Sequence, residues 1–180
     1  MEFIKTTMDG LMIIEPTVFK DDRGYFYESF SDAMFKKNGI DVNFVQDNQS
    51  LSQKGVLRGL HFQSPPFAQG KLVRVIKGAV MDVVVDIRKD SATYGKHEKV
   101  LLTEENMTML WVPAGFAHGF VTLRDNTIFF YKCTNTYNKQ SEGGVMWNDK
   151  DLAIDWEVEN PVLSDKDLVL ENFSSFVTPF

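Results

Sequence analysis

One cysteine, three histidines and six prolines are all that this 180-residue chain has of those residues. Cys133 has no partner within the chain, which excludes an internal disulfide and a zinc site built on several thiolates; such a count suits a reducing compartment. No apolar run approaches the roughly 20 residues of a membrane span, and acidic residues interrupt the opening MEFIKTTMDGLMIIEPTVF. The expectation is a soluble, cytoplasmic protein with no membrane partner. Positive charge is also scarce. Lys and Arg total 19 against 25 Asp and Glu, a formal net charge of −6, so the footprint of a general nucleic-acid binder is missing. A local basic pocket for a phosphorylated small molecule remains possible.

What is plentiful is apolar. Hydrophobic residues make up 43% of the chain, with 15 Phe among them, too many for disorder and enough for a real core. No repeat, low-complexity tract or linker divides residues 1–180, and Ser64-Pro65-Pro66 is too short to be a boundary. We therefore expect a single domain. Its runs are β-rich and broken by Gly, Asn and Asp turns. They include Leu72 to Ile76, Ala79 to Ile87, Val100 to Leu102, Met109 to Val112 and Thr127 to Thr136. In the second run Met81, Val83, Val85 and Ile87 alternate with Asp82, Val84, Asp86 and Arg88, which predicts one buried apolar face and one partly polar face. Helical signal is confined to Ser31–Lys37 and to an opener at Ser164–Asp167. The pattern predicts an all-β antiparallel sandwich or barrel with a few short helices.

Three histidines can be weighed one by one. His97 sits among charges and reads as solvated. His61 and His118 lie in segments that resemble the two signature motifs of the cupin superfamily of jelly-roll barrels. Gly55 precedes His61 by the motif's interval, Gln63 stands at the second histidine position, Lys71 at the glutamate position and Gly78 seven residues on; Pro113, Gly115 and His118 complete the second motif. A metal cupin needs ligands at the positions of His61, Gln63, Lys71 and His118. An ammonium at Lys71 has no lone pair and would repel a divalent ion, so no metal is expected. A metal-free pocket with His, Lys, Arg and Tyr suggests proton transfer, with His61 as base and Lys71 steadying a negative oxygen. Arg58 would hold a phosphate or help at that oxygen. The alternatives are a hydrogen-bonded histidine pair in a core and two surface cations. Arg58 and His61 have opposite parity on a regular strand; a bulge at Gly59 would restore a common direction. Tyr131 and Tyr137 share parity, and on one strand they would face the same way about 20 Å apart. Either could return a proton to the opposite face of a carbanion, or sit as an amphipathic residue at a barrel rim. Arg23-Gly24-Tyr25-Phe26-Tyr27-Glu28 could hold a nucleobase or pack in a subunit interface.

Over nearly its whole length, and in order, the chain resembles the dTDP-4-dehydrorhamnose 3,5-epimerase family of metal-free cupins. The segments that carry the resemblance are RGYFYESF, FVQDNQS, LRGLHFQSPPFAQGKLVRVIKGAVMDVVVDIRKDSATYG, VPAGFAHGF, WNDKDLAIDW and LSDKD. The resemblance implies a double-stranded β-helix that epimerises dTDP-4-dehydro-6-deoxy-D-glucose at C3 and C5, next to its 4-keto group, without cofactor or metal. It makes His61 the base, backed by an aspartate of LSDKD, where we take Asp167 over Asp165. Lys71 becomes the lysine near the enolate oxygen and Tyr131 the general acid. Arg58 and His118 become further pocket residues, with Gln46, Asn48, Gln63 and Tyr137 as additional ligand contacts and Asp82 as a pocket carboxylate. Arg23, Phe26 and Glu28 match a nucleotide-binding segment that reaches the neighbouring subunit of a homodimer. A single-centre epimerase of a related sugar and a non-catalytic sugar-nucleotide-binding cupin are the alternatives. One departure is Ser91-Ala92-Thr93, where the family commonly has Ser-Pro-Thr.

Overall fold

A computed structural model describes residues 1–180. Thirteen strands and one α-helix run in the order β1 (Glu2–Lys5), β2 (Met12–Glu15), β3 (Phe19–Asp21), β4 (Gly24–Phe26), α1 (Asp32–Lys37), β5 (Gln46–Ser52), β6 (Leu57–Gln63), β7 (Lys71–Lys77), β8 (Ala79–Asp86), β9 (His97–Thr103), β10 (Met109–Val112), β11 (Phe116–Thr122), β12 (Thr127–Cys133) and β13 (Glu142–Gly144). Two antiparallel sheets face each other, with strand orders β1-β2-β10-β7-β12-β5 and β13-β6-β11-β8-β9. This is the cupin-type jelly roll, all-β apart from α1 and two short 3₁₀ turns. Strands β3 and β4 form a separate hairpin.

Three apolar layers follow from the alternation of side chains. The central one lies between the sheets, where Val73, Val75, Leu110 and Phe129 meet Val80, Val84, Phe116 and Phe120. A second covers the outer side of the five-stranded sheet, where Val83, Val85 and Ile87 pack under the C-terminal segment with Leu152 and Trp156. A third joins Ile14, Leu72 and Trp111 of the six-stranded sheet to Phe35 of α1. Each such side chain, fully buried, contributes about 1.5–3 kcal/mol.

The predicted strand runs are present with ends moved by a few residues, and β8 has the expected apolar face and partly polar face. The partly polar face is the inside of the barrel, where Asp82, Val84 and Asp86 are all fully buried. The Met81-Val83-Val85-Ile87 face points outward and is covered by the C-terminal segment. A strand buried on both sides carries its polar residues where they have partners. The 127–136 run also ends early, at Cys133. Ser31 sits at the helix N-cap without a side-chain cap bond, and the Ser164–Asp167 opener leads only into a 3₁₀ turn over Asp167–Val169.

Two glycines have no substitute. Gly78 turns β7 into β8 at φ +84°, and a Cβ there would lie 2.2 Å from Thr127 Oγ1. Gly59 lies at φ +132° with a would-be Cβ only 2.5 Å from Gly119 Cα, so the backbones of β6 and β11 approach closely there.

Candidate active site

That close approach shapes the site. In the β6–β11 ladder His61 lies opposite His118, yet Arg58 lies opposite Phe120. Gly59 and Leu60 therefore face Gly119 alone, a β-bulge that corrects the parity of β6. Arg58 and His61 consequently line one cavity of about 290 Å³ between the sheets. His118 joins them from β11, while Lys71 of β7 and Tyr131 of β12 line the cavity from the six-stranded sheet.

His61 Nε2 lies 2.5 Å from Asp167 Oδ1. Asp165 is exposed and takes no part. Asp167 is 2% exposed, and its second oxygen accepts a bond of 2.7 Å from Ser164 Oγ. Burial pushes the Asp167 carboxyl up, but the bonds from His61 and Ser164 outweigh it and hold the group below its ordinary value. The carboxylate thus stays ionised. It accepts the Nε2 proton and leaves Nδ1 as the basic nitrogen of His61.

The opposite wall carries groups without ion pairs. Burial pushes the Lys71 ammonium down, against the pull of Cys133, Asp82 and Glu142. Burial likewise pushes the Tyr131 phenol up, reinforced by Cys133 and opposed by Arg58. At neutral pH Tyr131 is a protonated donor. Arg58 is steadied by Nε donating to Ser52 Oγ at 3.3 Å, a bond that spans the two sheets at the cavity rim.

The other expected ligand contacts are arranged differently. Gln63 does not line the cavity. Its amide donates to the carbonyls of Phe67 and Thr136 and accepts from the Asn138 N–H, so the residue is spent on holding loops. Gln46 bonds Asn48 and the Tyr137 N–H on the edge strand β5, and Asn48 faces Tyr131 across the β5–β12 ladder. Tyr137 falls beyond the end of β12, so the shared-parity argument fails for it; it is 54% exposed and donates to Glu142. Arg23, Phe26 and Glu28 are outside this chain's own cavity. Arg23 pairs with Asp21 at the hairpin tip, and Phe26 is 70% exposed. Asp82 is the buried partner of His118.

Three residues escaped the sequence reading. Lys166 lines the cavity and bonds Glu142, which also accepts from Tyr137. Ser164 orients Asp167. Lys166 lies between Asp165 and Asp167, and its charge within LSDKD is the signal that marks it. The cupin ligand positions hold His61, Gln63, Lys71 and His118, and no three His, Cys, Asp or Glu side chains cluster as a metal site.

A cupin-type jelly roll with acid–base groups at its signature positions is the class that fold and cavity define. The chain belongs to the dTDP-4-dehydrorhamnose 3,5-epimerase family, whose profile matches residues 5–175. A dTDP-4-dehydrorhamnose 3,5-epimerase of Shigella flexneri is 53% identical over 174 residues, covering 96% of each chain. The structure of a dTDP-6-deoxy-D-glucose-3,5-epimerase from Legionella pneumophila, in complex with dTDP-4-keto-L-rhamnose, superposes with a TM-score of 0.94 at 48% identity, covering 98% of this chain and 94% of that one. ChmJ, a 3'-monoepimerase from Streptomyces bikiniensis in complex with dTDP-quinovose, superposes at 0.91 with 33% identity, covering 96% and 88%.

Proposed function

We propose that this chain, as one epimerase domain over residues 1–180, converts dTDP-4-dehydro-6-deoxy-D-glucose to dTDP-4-dehydro-L-rhamnose by inverting C3 and C5. Both carbons are adjacent to the C4 carbonyl, so their protons are acidified by the substrate itself. His61 takes the proton from carbon, and the C–H electron pair moves onto the C4 oxygen as an enolate. Lys71 stabilises that oxygen. Tyr131 then protonates the same carbon from the other side as the carbonyl re-forms, and the centre is inverted. His61 returns its proton to water and Tyr131 regains one. Written this way, the reaction calls on neither a nicotinamide nor a metal. One observation carries the reading: a carboxylate-backed imidazole and a half-buried, protonated phenol enter one cavity from opposite sheets.

Arg58 and Lys166 give the cavity cations for a diphosphate. We assign Arg23, Phe26 and Glu28 to the nucleotide end of a second copy's site, since none of them lines this chain's own cavity and the adjoining hairpin exposes Phe19, Tyr25 and Phe26. We assign Gln46, Asn48 and Tyr137, which Gln46 ties together through bonds to Asn48 and the Tyr137 N–H, to contacts with the same ligand. No helix is long and apolar enough to cross a membrane, and the unpaired thiol of Cys133 supports a cytoplasmic enzyme.

The test is incubation with the 4-keto sugar nucleotide in D₂O, followed by NMR. Deuterium is expected at both C3 and C5. His61→Asn is expected to lower exchange at both carbons by at least about 10²-fold with dTDP binding kept. Undiminished exchange in that variant would remove His61 as the base. Exchange at a single carbon in the native protein would instead mark a single-centre epimerase.

A further inference from the structure

His118 of the cavity wall belongs to a second carboxylate–imidazole pair that the proton transfers above leave unused. Asp82 on β8 is 0% exposed, and both its oxygens lie 2.9 Å from His118 Nε2. His118 is the only partner of this carboxylate. With both carboxylate oxygens turned to the one ring nitrogen, Nε2 is the donor of this contact and Nδ1 is the ring nitrogen left for another. Aromatic rings pack the imidazole further: Phe129 lies near-parallel at a centroid distance of 6.3 Å and is itself stacked on Phe120 at 4.2 Å. His118 borders the cavity directly opposite His61 in the ladder, and Lys71 faces it from the other sheet.

We propose that Asp82 is a positioning residue: through His118 it fixes the tautomer and orientation of an imidazole that, with Lys71, holds the C4 oxygen and its neighbouring hydroxyl as charge moves onto that oxygen. The proposal rests on the epimerase reading of the same site. A purely structural clasp between β8 and β11 explains the pair less well. These strands already share a continuous register from Phe116–Asp86 to Thr122–Val80. A buried polar pair in place of apolar packing is also often neutral or unfavourable for stability. Its presence at the cavity wall, rather than elsewhere in the ladder, calls for a reason in the chemistry.

Asp82→Asn tests this directly, because an amide can donate to Nε2 and so favour the other tautomer, as in a catalytic triad whose aspartate is replaced by asparagine. In ¹⁵N NMR of the imidazoles, with His118 assigned by its loss in His118→Gln, the native protein is expected to show the proton on Nε2 and Asp82→Asn to show it on Nδ1. The kcat of Asp82→Asn is expected to fall about 10²-fold, with KM changed less than threefold. Asp82→Leu, which keeps the volume and removes the charge, covers the case of a poorly folding amide variant and is expected to lose kcat similarly. An unchanged tautomer, kcat within threefold of native, or a loss confined to KM would overturn the proposal. The tautomer is read without substrate, so failure of the epimerase reading in D₂O would be seen separately.

Discussion

The two walls of the cavity handle charge in opposite ways. On the five-stranded sheet each imidazole is tied to a buried carboxylate, His61 to Asp167 and His118 to Asp82. On the six-stranded sheet Lys71 and Tyr131 have no ionic partner, and burial pushes the ammonium down and the phenol up. A paired wall fixes tautomer and direction, which a base acting on carbon needs. An unpaired wall stores interaction strength for a charge that exists only during reaction, because a group already neutralised has less to offer a developing oxyanion. The bulge at Gly59 lets β6 present both Arg58 and His61 to the cavity.

Tyr131→Phe is the largest expected break in this comparison. It removes the proton donor of the unpaired wall and leaves the His61–Asp167 pair intact. Formation of inverted product is expected to fall by about 10²–10³-fold. Deuterium exchange with retention, driven from the His61 side, is expected to fall less. Measuring both in one D₂O incubation separates the walls; equal loss of exchange and inversion would show that they do not divide the labour in this way.

Much of this division was legible in residue spacing. His61, Lys71 and His118 fall at positions of the two motifs, Tyr131 is marked by the family resemblance, and the parity conflict between Arg58 and His61 points at Gly59. What stayed hidden depends on lateral packing. Asp82 and His118 are 36 residues apart, and they meet because β8 and β11 are neighbours in the sheet. Alternation marks the polar residues of β8 as one face, but cannot say whether that face meets solvent or a barrel interior. Tyr137 was misplaced because nothing in the local sequence marks the end of β12 at Cys133. Gln63 sat at a ligand position, yet the loops that consume its amide come from residues 67, 136 and 138.

A paired carboxylate can also serve stability alone, and Asp86 provides that control on the same strand as Asp82. It accepts from Arg88, Ser91 and Thr93. Burial pushes its carboxyl up, but these bonds prevail and bring it from 3.8 to about 2. A depressed acid contributes stability that is present above its unfolded value near 3.8 and lost as pH falls through about 2. Asp86→Asn is therefore expected to cost on the order of 2 kcal/mol at neutral pH. The native and variant curves should converge as pH drops from about 4 toward 2. Urea unfolding at pH 7 and pH 3 checks this, and kcat of the folded variant should be unchanged. A kcat loss resembling that of Asp82→Asn would blur the distinction between carboxylates that serve the cavity and those that serve the fold.

The smallest effect concerns the loop that Asp86 holds. Ser91 O accepts from Tyr94 N at 3.1 Å, so residues 91–94 form a β-turn with Ala92 at its second position. Ala92 is exposed, and its N–H has no partner. This is the turn position where proline's fixed φ is favoured and its missing donor costs nothing, and the place where the family commonly carries Pro. Ala92→Pro is expected to stabilise by about 0.4–1 kcal/mol, mainly by restricting the unfolded chain. The melting temperature should rise by a few degrees at most, about 2–4 °C per kcal/mol for a chain of this size. Combined with Asp86→Asn, the gain should shrink, because the turn then loses the carboxylate that Ser91 and Thr93 grip. Destabilisation by Ala92→Pro alone would mean that the turn needs its present backbone freedom to keep those two hydroxyls on Asp86.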